Sequence, residues 1–337
     1  MAVKELTYSI TGVSTGDLDS LTVREQYNSP VSSAVLQVTE TTLDMGDAIT
    51  ISIGYDASNV KVFQGYVSQV GRNVPANLIT LACEDELARA VNFFIASDDP
   101  ENPLTYANIL SEDYVEDILS QAYYNDMGSF NFEADVPGSF TWGTDLEAEV
   151  NLVSAWQAAN EMAQLLAWHI YADRNGKIWF VDRKPYVMGG DSNDYTYNES
   201  SGTNVISVDY TKSTEETRNK VVVYGRPGIE ATASQTRSDL YSASFYKTAI
   251  IGHPLIQTQS QAQTTADYNL TLFNRLTESV NLSVEGNANV TARQIAELTM
   301  TEFTSGVGGG TTDDWFIYQV QHQFGARGFS TNMTLTK

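Results

Sequence analysis

Short alternating strands dominate the first part of the sequence and constrain its fold most strongly. Six segments between residues 4 and 84 alternate apolar and polar side chains or run apolar, and turn-forming residues separate them at regular intervals. A period of two is typical of β-strands, and closely spaced short strands build small barrels or sandwiches. We therefore predict a small β-barrel over residues 1–92. Its strands are expected in KELTYSI, LDSLTVREQ, SSAVLQVTE, DAITISIGY, VKVFQGYVSQV and NLITLACE.

The middle of the sequence, residues 93–202, has a helical rather than an alternating pattern. Apolar side chains recur at helical spacing near 111–124 and 152–168, which predicts two helices, the first with Ser111 as its N-cap. The second helix runs into a hairpin over residues 168–182, where the pair Asn175-Gly176 fits a type I′ turn. This block is therefore predicted to be an α+β domain.

Residues 203–337 return to strands. VISVDYTKS and RNKVVVYGRP are predicted to pair, an irregular insertion is expected at about 228–258, and a helix at about 261–278. Four further strand-like segments close the sequence. A chain of 337 residues is too long to fold around one ordinary hydrophobic core. The predicted fold class is mainly β with an α+β insert.

The net charge of −23 is unevenly spread along the sequence. Residues 93–202 carry 19 acidic and 4 basic side chains, whereas residues 203–337 carry 12 and 10. An acidic surface repels phosphate backbones, so sequence-specific nucleic-acid binding is not expected. The charge is equally compatible with a solubility device or with adaptation to salt.

Neither a membrane segment nor a disulfide is expected. The first fifteen residues contain no apolar run of signal-peptide length, and no run is long enough for a transmembrane helix, so membrane insertion is not predicted. The single cysteine, Cys83, ends an apolar strand and is predicted to be a buried, inert thiol.

Clustered acids are the best candidates for catalysis in this sequence. Paired carboxylates carry out glycoside hydrolysis, and two clusters occur, Glu84, Asp85 and Glu86 in one and Glu147 and Glu149 in the other. Both lie at predicted helix starts or in loops, where acids more often cap helices or remain solvated. We therefore predict no enzymatic activity and no catalytic residues.

Metal and phosphate sites are not predicted either. His169, His253 and His322 are far apart and form no metal-binding pair, and two of them lie in predicted strands among apolar neighbours. The glycine-rich loop Ser305 to Asp314 lacks the lysine of a phosphate-binding loop and is predicted to be a hairpin connection. No metal or cofactor is expected.

Five segments, taken in order, resemble the baseplate or tail hub proteins of bacteriophages, the family that includes the late control protein D group. They span most of the chain, although VEGNANVTARQIAEL lacks a proline-glycine turn common at that place in the family. The segments are VFQGYVSQV, LLAWHIYADRNGKIWFV, RNKVVVYGRP, VEGNANVTARQIAEL and YQVQHQFGARGFSTNMTLT.

The resemblance implies two tail-tube-like β-barrels, over residues 1–92 and 203–337, flanking the α+β domain 93–202. It matches the strands Val62–Val70 and Phe316–Phe324 as equivalent strands of the two barrels. It also implies a homotrimer, which presents six barrels to a sixfold tail tube or distal tail protein and a threefold face to a central spike. The channel would pass DNA and the tape measure protein, and acids facing it would repel phosphate.

The same resemblance implies a virion location, in the tail baseplate, after assembly in the host bacterial cytoplasm. One alternative from another class is a tail-borne carbohydrate-binding or cell-wall hydrolase module, favoured by abundant tyrosine, tryptophan and acid. Aromatic side chains gathered in an exposed cleft would favour the alternative, whereas aromatics in cores and subunit contacts would favour the hub.

Overall fold

The computed structural model describes residues 5–96, 104–107, 109–123, 130–135, 148–198, 204–215, 217–237, 245–274, 278–300, 312–325 and 328–337. Its largest sheet contains twelve strands that come from both ends of the sequence. The four described helices lie between residues 87 and 273. The predicted fold class, mainly β with an α+β insert, is confirmed.

Six strands form what we call the N-terminal unit. They are β1 (Leu6–Ile10), β2 (Leu18–Gln26), β3 (Ser33–Val38), β4 (Ala48–Tyr55), β5 (Ser58–Asn73) and β6 (Leu78–Glu84). All neighbours are antiparallel and follow the order β1-β4-β5-β6-β3-β2. Alternate side chains, among them Leu36, Ile51 and Leu81, point into one apolar core, as the alternating sequence predicts.

The middle unit is the α+β part of the molecule. Its apolar core brings together Ile118, Met162 and Phe180 from two helices and a strand. The elements are α1 (Leu87–Asn92), β7 (Phe94–Ile95), β8 (Leu104–Tyr106), α2 (Ser111–Ser120), a 3-10 turn (Gln121–Tyr123), β9 (Phe132–Ala134), β10 (Ala148–Val150), β11 (Val153–Ser154), α3 (Ala155–Leu166), β12 (His169–Ala172) and β13 (Ile178–Val181).

The helix starts in the middle unit differ from those predicted. Helix α2 begins after Leu110, and Ser111 is buried in its first turn, so Ser111 is not the N-cap. Helix α3 begins at Ala155 rather than near 152, because the Ser154 hydroxyl accepts the backbone N–H of Gln157 at 3.1 Å and caps it there. The helix ends at Leu166, and its C-cap, Ala167, has a left-handed φ of 51°.

The β12–β13 hairpin is antiparallel, but its turn is not the predicted type I′. The Asp173 carboxylate accepts the backbone N–H groups of Asn175 and Lys177, at 2.8 and 3.0 Å. The N–H of Gly176 bonds to the Asp173 carbonyl, and Gly176 has a φ of 78°, whereas Asn175 does not have a positive φ. An aspartate at the first position favours a type I turn followed by a left-handed glycine.

The remaining elements divide between two further units. They are β14 (Tyr195–Asn198), β15 (Val205–Lys212), β16 (Lys220–Tyr224), β17 (Glu230–Ser234), β18 (Thr248–Gly252), α4 (Gln259–Phe273), β19 (Glu278–Glu285), β20 (Ile295–Thr299), β21 (Thr312–Gly325) and β22 (Gly328–Thr336). The C-terminal unit comprises β14, β15 and β19 to β22, around a core that includes Leu282, Trp315 and Leu335.

The inserted unit, β16 to β18 with α4, corrects two predictions. Strand β16 does not pair with β15; it lies between β17 and β18 in a separate three-stranded sheet. The segment 228–258, predicted to be irregular, therefore supplies two strands. The physical reason is a small core of its own, in which Val221 and Val223 pack with Ala262 and Ala266 of α4.

Helix α4 starts and ends earlier than the predicted 261–278. The Thr258 hydroxyl and the Gln261 side chain form a reciprocal capping box that fixes its start. Its last residue is Phe273, and Glu278 already belongs to β19.

The unit boundaries also differ from the predicted divisions at 92/93 and 202/203. Leu87 and Ala90 of α1 pack in the core of the middle unit, which therefore starts before residue 93. Strand β14 pairs in parallel with β20, so the C-terminal unit begins at Tyr195, before residue 203. The predicted hairpin loop 305–314 lies mostly outside the described residues, although the strands on either side of it are antiparallel.

Candidate functional site

The N-terminal and C-terminal units have the same strand order. The N-terminal order β1-β4-β5-β6-β3-β2 corresponds to β14-β20-β21-β22-β19-β15 in the C-terminal unit, with strands equivalent in chain order. Only the first strand differs in direction, because β1 is antiparallel to β4 whereas β14 is parallel to β20. The inserted unit lies in the connection between β15 and β19.

The registers of several equivalent strand pairs also coincide, although the bulge at Val62 between β4 and β5 has no counterpart between β20 and β21. Between β5 and β6 one extra residue, Ser68, forms a bulge, and between β21 and β22 the extra residue is Tyr318, 250 positions later. Asp19 in β2 and Ile206 in β15 are the corresponding bulge residues of another equivalent pair. Bulges are specific local features of a strand pair. Their coincidence at two places identifies the units as two copies of one fold.

The sequence match of the two long strands identified the correct strands in the wrong register. The sequence match places Val62 at the position of Phe316. The bulges instead align Phe316 with Tyr66, four residues after Val62. In the structural alignment the segment YVSQV, which starts at Tyr66, lies over FIYQV, which starts at Phe316. Two identical residues in that short segment, Gln69/Gln319 and Val70/Val320, are the signal that could have corrected the match.

The two units are joined edge to edge. Strand β2 pairs antiparallel with β21 over seven residues, from Ser20 opposite Gly325 to Gln26 opposite Gln319. The Arg24 guanidinium donates across this boundary to the Gln319 side chain at 3.1 Å. As a result, eight strands run continuously in the order β5-β6-β3-β2-β21-β22-β19-β15.

One face of these eight strands covers the two cores, and the other, which we call the polar face, is partly or fully exposed. Hydroxyl and amide side chains dominate it. Among its described residues the charged ones are Arg24, Glu84, Asp209 and Glu285. Its uncharged polar members are Thr22, Ser33, Gln37, Gln69, Thr80, Ser207, Thr211, Ser279, Asn281, Ser283, Gln319, Gln321, Gln323, Ser330, Asn332 and Thr334.

An arginine of the middle unit binds both β units. The Arg174 guanidinium lies at the tip of the β12–β13 hairpin and donates to the Lys61 carbonyl of the N-terminal unit at 3.0 Å. It also donates to the carbonyls of Ala288, Asn289 and Val290 in the C-terminal unit, at 3.0 to 3.3 Å. Burial lowers the pKa of Arg174. This one side chain therefore fixes the position of three units relative to one another.

A second arginine acts at the same junction. Arg293, from the loop before β20, forms an ion pair with Glu25 of β2, and its guanidinium lies 3.8 Å from the centre of the Tyr171 ring. Its φ of 76° is unusual for a residue with a side chain. The ion pair and the ring contact again connect all three units.

The clustered acids predicted as the best catalytic candidates have structural roles where they are described. Asp85 is buried, and its carboxylate accepts the backbone N–H groups of Ser32 and Leu87, at 2.6 and 3.0 Å. Burial raises the pKa of Asp85 to about 7. Glu86 precedes α1 and lies 3.7 Å from Arg89.

Of the other candidate acids, only Glu84 has a side chain that the structure describes. Glu84 is half-buried on the polar face, opposite Ser33 of β3. Glu147 and the side chain of Glu149 lie outside the described residues.

The three histidines are well separated in the fold. His322 is buried between the Thr331 hydroxyl and the Val290 carbonyl, each 3.1 Å from a ring nitrogen, and burial lowers its pKa to about 4. His169 is buried against the Tyr27 ring at 4.0 Å, and burial holds its pKa well below the usual range. His253 lies 3.5 Å from Glu161. The prediction that the two strand histidines are packed is confirmed.

Cys83 is buried, as predicted, and burial raises the pKa of its thiol to about 12. In the part of the chain that the structure describes, no three His, Cys, Asp or Glu residues gather as a metal site would require. None of the described helices has the length and apolar character needed to cross a lipid bilayer.

A cleft of about 650 Å³ lies between the middle and inserted units. Aromatic side chains line it, including Tyr27, Trp156 and Trp168. Two of these rings already pack on protein rings: Tyr27 stacks on His169, and Trp168 lies 4.9 Å from Phe180. The cleft is therefore partly an extension of the aromatic packing between units.

Comparison with known proteins shows what fold this is. No protein-family model and no curated protein matches the chain. Among solved structures, a tail protein from Neisseria meningitidis MC58 has a TM-score of 0.73 at 10% identity, covering 99% of this chain and 97% of that one. The 43 kDa tail protein of prophage MuSo2 from Shewanella oneidensis has a TM-score of 0.70 at 13% identity, with 99% and 98% covered.

A third similar structure comes from a secretion system. It is an E. coli component of the type VI secretion system, described as similar to the T4 tail proteins gp27 and gp5, with a TM-score of 0.57 at 10% identity, covering 98% of this chain and 76% of that one. The chain thus has the fold of phage tail proteins over nearly its whole length. The family resemblance found in the sequence is confirmed at the level of the fold.

Proposed function

We propose that this chain is the structural hub of the tail baseplate of a phage or phage-like injection particle. The observation that carries the proposal is the duplication: two units with one strand order, matching registers and matching bulges, joined edge to edge. A threefold assembly can contact a sixfold ring equivalently only if each subunit presents two similar surfaces. A homotrimer of this chain presents six.

Such a trimer can connect a sixfold structure to a threefold one. Its six similar units stack on a sixfold tail tube or distal tail protein, while the middle and inserted units, present once per chain, remain threefold and receive a central spike. The similarity in fold to a secretion-system tail component supports this arrangement. Subunit interfaces above about 2,000 Å² are expected, as in obligate assemblies.

In this proposal the polar face lines the channel through which DNA and the tape measure protein pass. Its composition changes the electrostatic expectation from the sequence, because hydroxyls and amides rather than acids dominate the face. A wall of mainly uncharged side chains, with three acids and one base per chain among its described residues, does not capture phosphates and raises only a weak repulsive barrier against them. The acids of this chain are concentrated in residues 93–202, outside these strands.

The proposal includes no enzymatic activity and no site-bound cofactor. Asp85 and Glu86 are engaged at the start of α1, and the cleft aromatics pack between units. Both observations favour assembly over the alternative of a carbohydrate-binding or hydrolytic module. Incubation with peptidoglycan and polysaccharides is expected to release nothing above background, and release abolished by Glu86→Gln would reinstate the alternative.

Native mass spectrometry over a range of protein concentrations tests the hub. The expected result is a trimer, accompanied by threefold rings with six peripheral lobes in electron-microscopy class averages. A protein that stays monomeric at every concentration and is present singly in the particle contradicts the proposal.

A further inference from the structure

We propose that the cleft between the middle and inserted units binds an extended peptide segment of another protein, which adds as a strand to the free edge of β18. The side chains that line the cleft indicate the chemistry of this segment: apolar or aromatic residues together with a lysine or arginine. The inference goes beyond the hub and does not depend on how many copies of the chain assemble.

Strand β18 has one unpaired edge. Among the described strands it pairs with β16 alone, in parallel. The Lys247 carbonyl accepts the backbone N–H of Lys220, and the N–H of His253 donates to the Tyr224 carbonyl. Because backbone groups alternate between the two sides of a strand, the N–H and C=O of Ile250 point away from β16. A free row of such groups binds the backbone of an extended peptide.

The cleft of about 650 Å³ borders this edge. Its lining includes Ile250, whose side chain is 71% exposed, and the next three residues of the chain. Leu272 and Phe273, from the last turn of α4, also line it. The free edge therefore lies beside a largely apolar cavity that can take up side chains of an added strand.

The opposite wall of the cleft is one face of α3. Trp156, Asn160 and Gln164 recur every four residues, so they lie on the same side of the helix. From Trp156 to Leu165 this wall is about 14 Å long, the length of about four residues of extended chain. Within the described residues the side-chain amides of Asn160 and Gln164 form no hydrogen bond. Each amide can both donate and accept, as peptide groups require.

Glu161 gives the cleft its charge. Apart from histidines, it is the one ionisable acidic or basic side chain lining the cleft besides Tyr27, and it is 42% exposed. A hydrogen bond with His253, whose Nε2 lies 3.5 Å away, lowers the pKa of Glu161 and keeps it ionised at neutral pH. A carboxylate close to tryptophan rings favours a lysine or arginine side chain over an acidic one.

Peptide selection tests this chemistry. A library of random heptapeptides displayed on yeast is selected on the full-length protein, and a fluorescein-labelled consensus peptide then gives affinities by anisotropy. The enriched peptides are expected to alternate apolar with polar residues and to contain a lysine or arginine. The absence of a consensus, or an acidic one, overturns the proposal. Displacement of the labelled peptide by cell-wall oligosaccharides would assign the cleft to a carbohydrate instead.

Prolines on the two edges of one sheet test the added strand. Ile250→Pro removes an outward N–H and leaves the hydrogen bonds to β16 in place, and prolines are tolerated at such positions. Peptide binding is expected to weaken at least tenfold. The matched control, Thr232→Pro, removes an outward N–H from β17 at the opposite edge and should change the affinity less than twofold. Equal affinities of the two variants overturn strand addition to β18.

Charge reversal tests the cleft independently of the strand edge. Glu161→Arg is expected to lower the affinity for the consensus peptide at least tenfold. A peptide with glutamate in place of its basic residue should bind this variant more tightly than it binds the original protein. Thermal melts followed by circular dichroism check that every variant is folded. Unchanged affinity in folded Glu161→Arg, or no gain with the exchanged peptide, overturns the assigned chemistry.

Discussion

The N-terminal and C-terminal units share one topology but are built from largely different side chains. Few equivalent positions carry the same residue, Leu36/Leu282 and Val38/Val284 in one strand among them, yet two bulges coincide. Elsewhere the side chains diverge: His322, buried in the C-terminal unit, corresponds to the exposed Arg72. The comparison shows that strand order and register depend on the alternation of buried and exposed positions, not on particular residues.

The two units also differ in how their chain is connected. The N-terminal unit passes from β2 to β3 through a short loop, whereas the C-terminal unit carries the whole inserted unit between the equivalent strands β15 and β19. The cost of closing a loop grows only slowly with its length, and an insertion with its own core adds stability of its own. The barrel fold therefore tolerates a folded insertion at this connection.

The largest effects are expected from truncating the shared core position in each unit. Leu36→Ala and Leu282→Ala remove side chains of nearly complete burial at equivalent places in β3 and β19. Each is expected to lower the free energy of unfolding by about 2–5 kcal/mol, since a cavity remains. Denaturant titration of both variants measures the cost, with the exposed substitution Thr271→Ala as control. A loss of stability in one of the two variants and none in the other would contradict the structural equivalence of the two units.

The side chain that links the middle unit to both β units is expected to rank next. Arg174→Ala removes a half-buried guanidinium that donates to four carbonyls on both units, and charged hydrogen bonds are worth more than neutral ones. A loss of about 3 kcal/mol is expected, together with separate melting of the units in calorimetry. The exposed Arg72→Ala is the matched control and should change stability by less than about 0.5 kcal/mol. A single unchanged transition in the Arg174 variant would contradict the role of this junction.

Much of this fold could be predicted from sequence because it depends on periodic burial. Strand alternation located all six N-terminal strands, and the helical spacing around Met162 located α3. The inserted unit was missed because its strands β17 and β18 are short, rich in small residues and separated by a long connection. Their partner β16 has three consecutive buried valines. Such a run does not alternate, so it does not indicate which face of the strand is buried.

The junction could not be predicted in the same way. Arg174 looks like an ordinary turn residue in sequence, and nothing local indicates that its partners are more than a hundred positions away. The low charge of the polar face could not be predicted for another reason. Net charge is summed over the whole chain, whereas the face is formed by every second residue of eight strands. Only the pairing order reveals that these positions share a surface.

The pH dependence of stability should distinguish the two units. The folded pKa of His322 is about 4 against about 6.5 for an ordinary histidine, so the unfolded chain binds the proton more readily and the contribution of this residue to stability falls as pH drops below about 6.5. Between pH 7 and pH 5 this residue is expected to remove about 2 kcal/mol. His169, also buried, acts in the same direction, whereas Asp85, whose pKa burial raises to about 7, acts in the opposite direction.

The variant His322→Gln isolates this contribution. In denaturant titrations, the change from pH 7 to pH 5 should be less favourable by about 2 kcal/mol for the original protein than for the variant, although the stability of the variant at pH 7 is also expected to be lower. Arg72→Gln at the equivalent position of the N-terminal unit should leave the pH dependence unchanged. If the free energy of unfolding changed equally between pH 7 and pH 5 in the original protein and in His322→Gln, the proposed distinction between the units would be wrong.

The smallest effect on stability, and the most specific one on function, is expected from charging the polar face. Thr22→Lys, Thr80→Lys and Asn332→Lys together place one cation on each of three strands. The three positions are half-buried and outside the cores, and surface substitutions of this kind cost about 0.5 kcal/mol apiece. If the face lines a channel, the concave wall focuses the added field on a polyanion. Assembled variant protein should then retain single-stranded and duplex DNA in a salt-sensitive filter assay in which the original protein retains none. The matched control puts three lysines on α4, at the exposed Ser260 and Thr271 and the half-buried Thr264, giving the same net charge on a convex surface and weaker retention. Equal retention by the two lysine variants would mean that the polar face is not enclosed, and retention by the unmodified protein would mean that its wall is not neutral toward DNA.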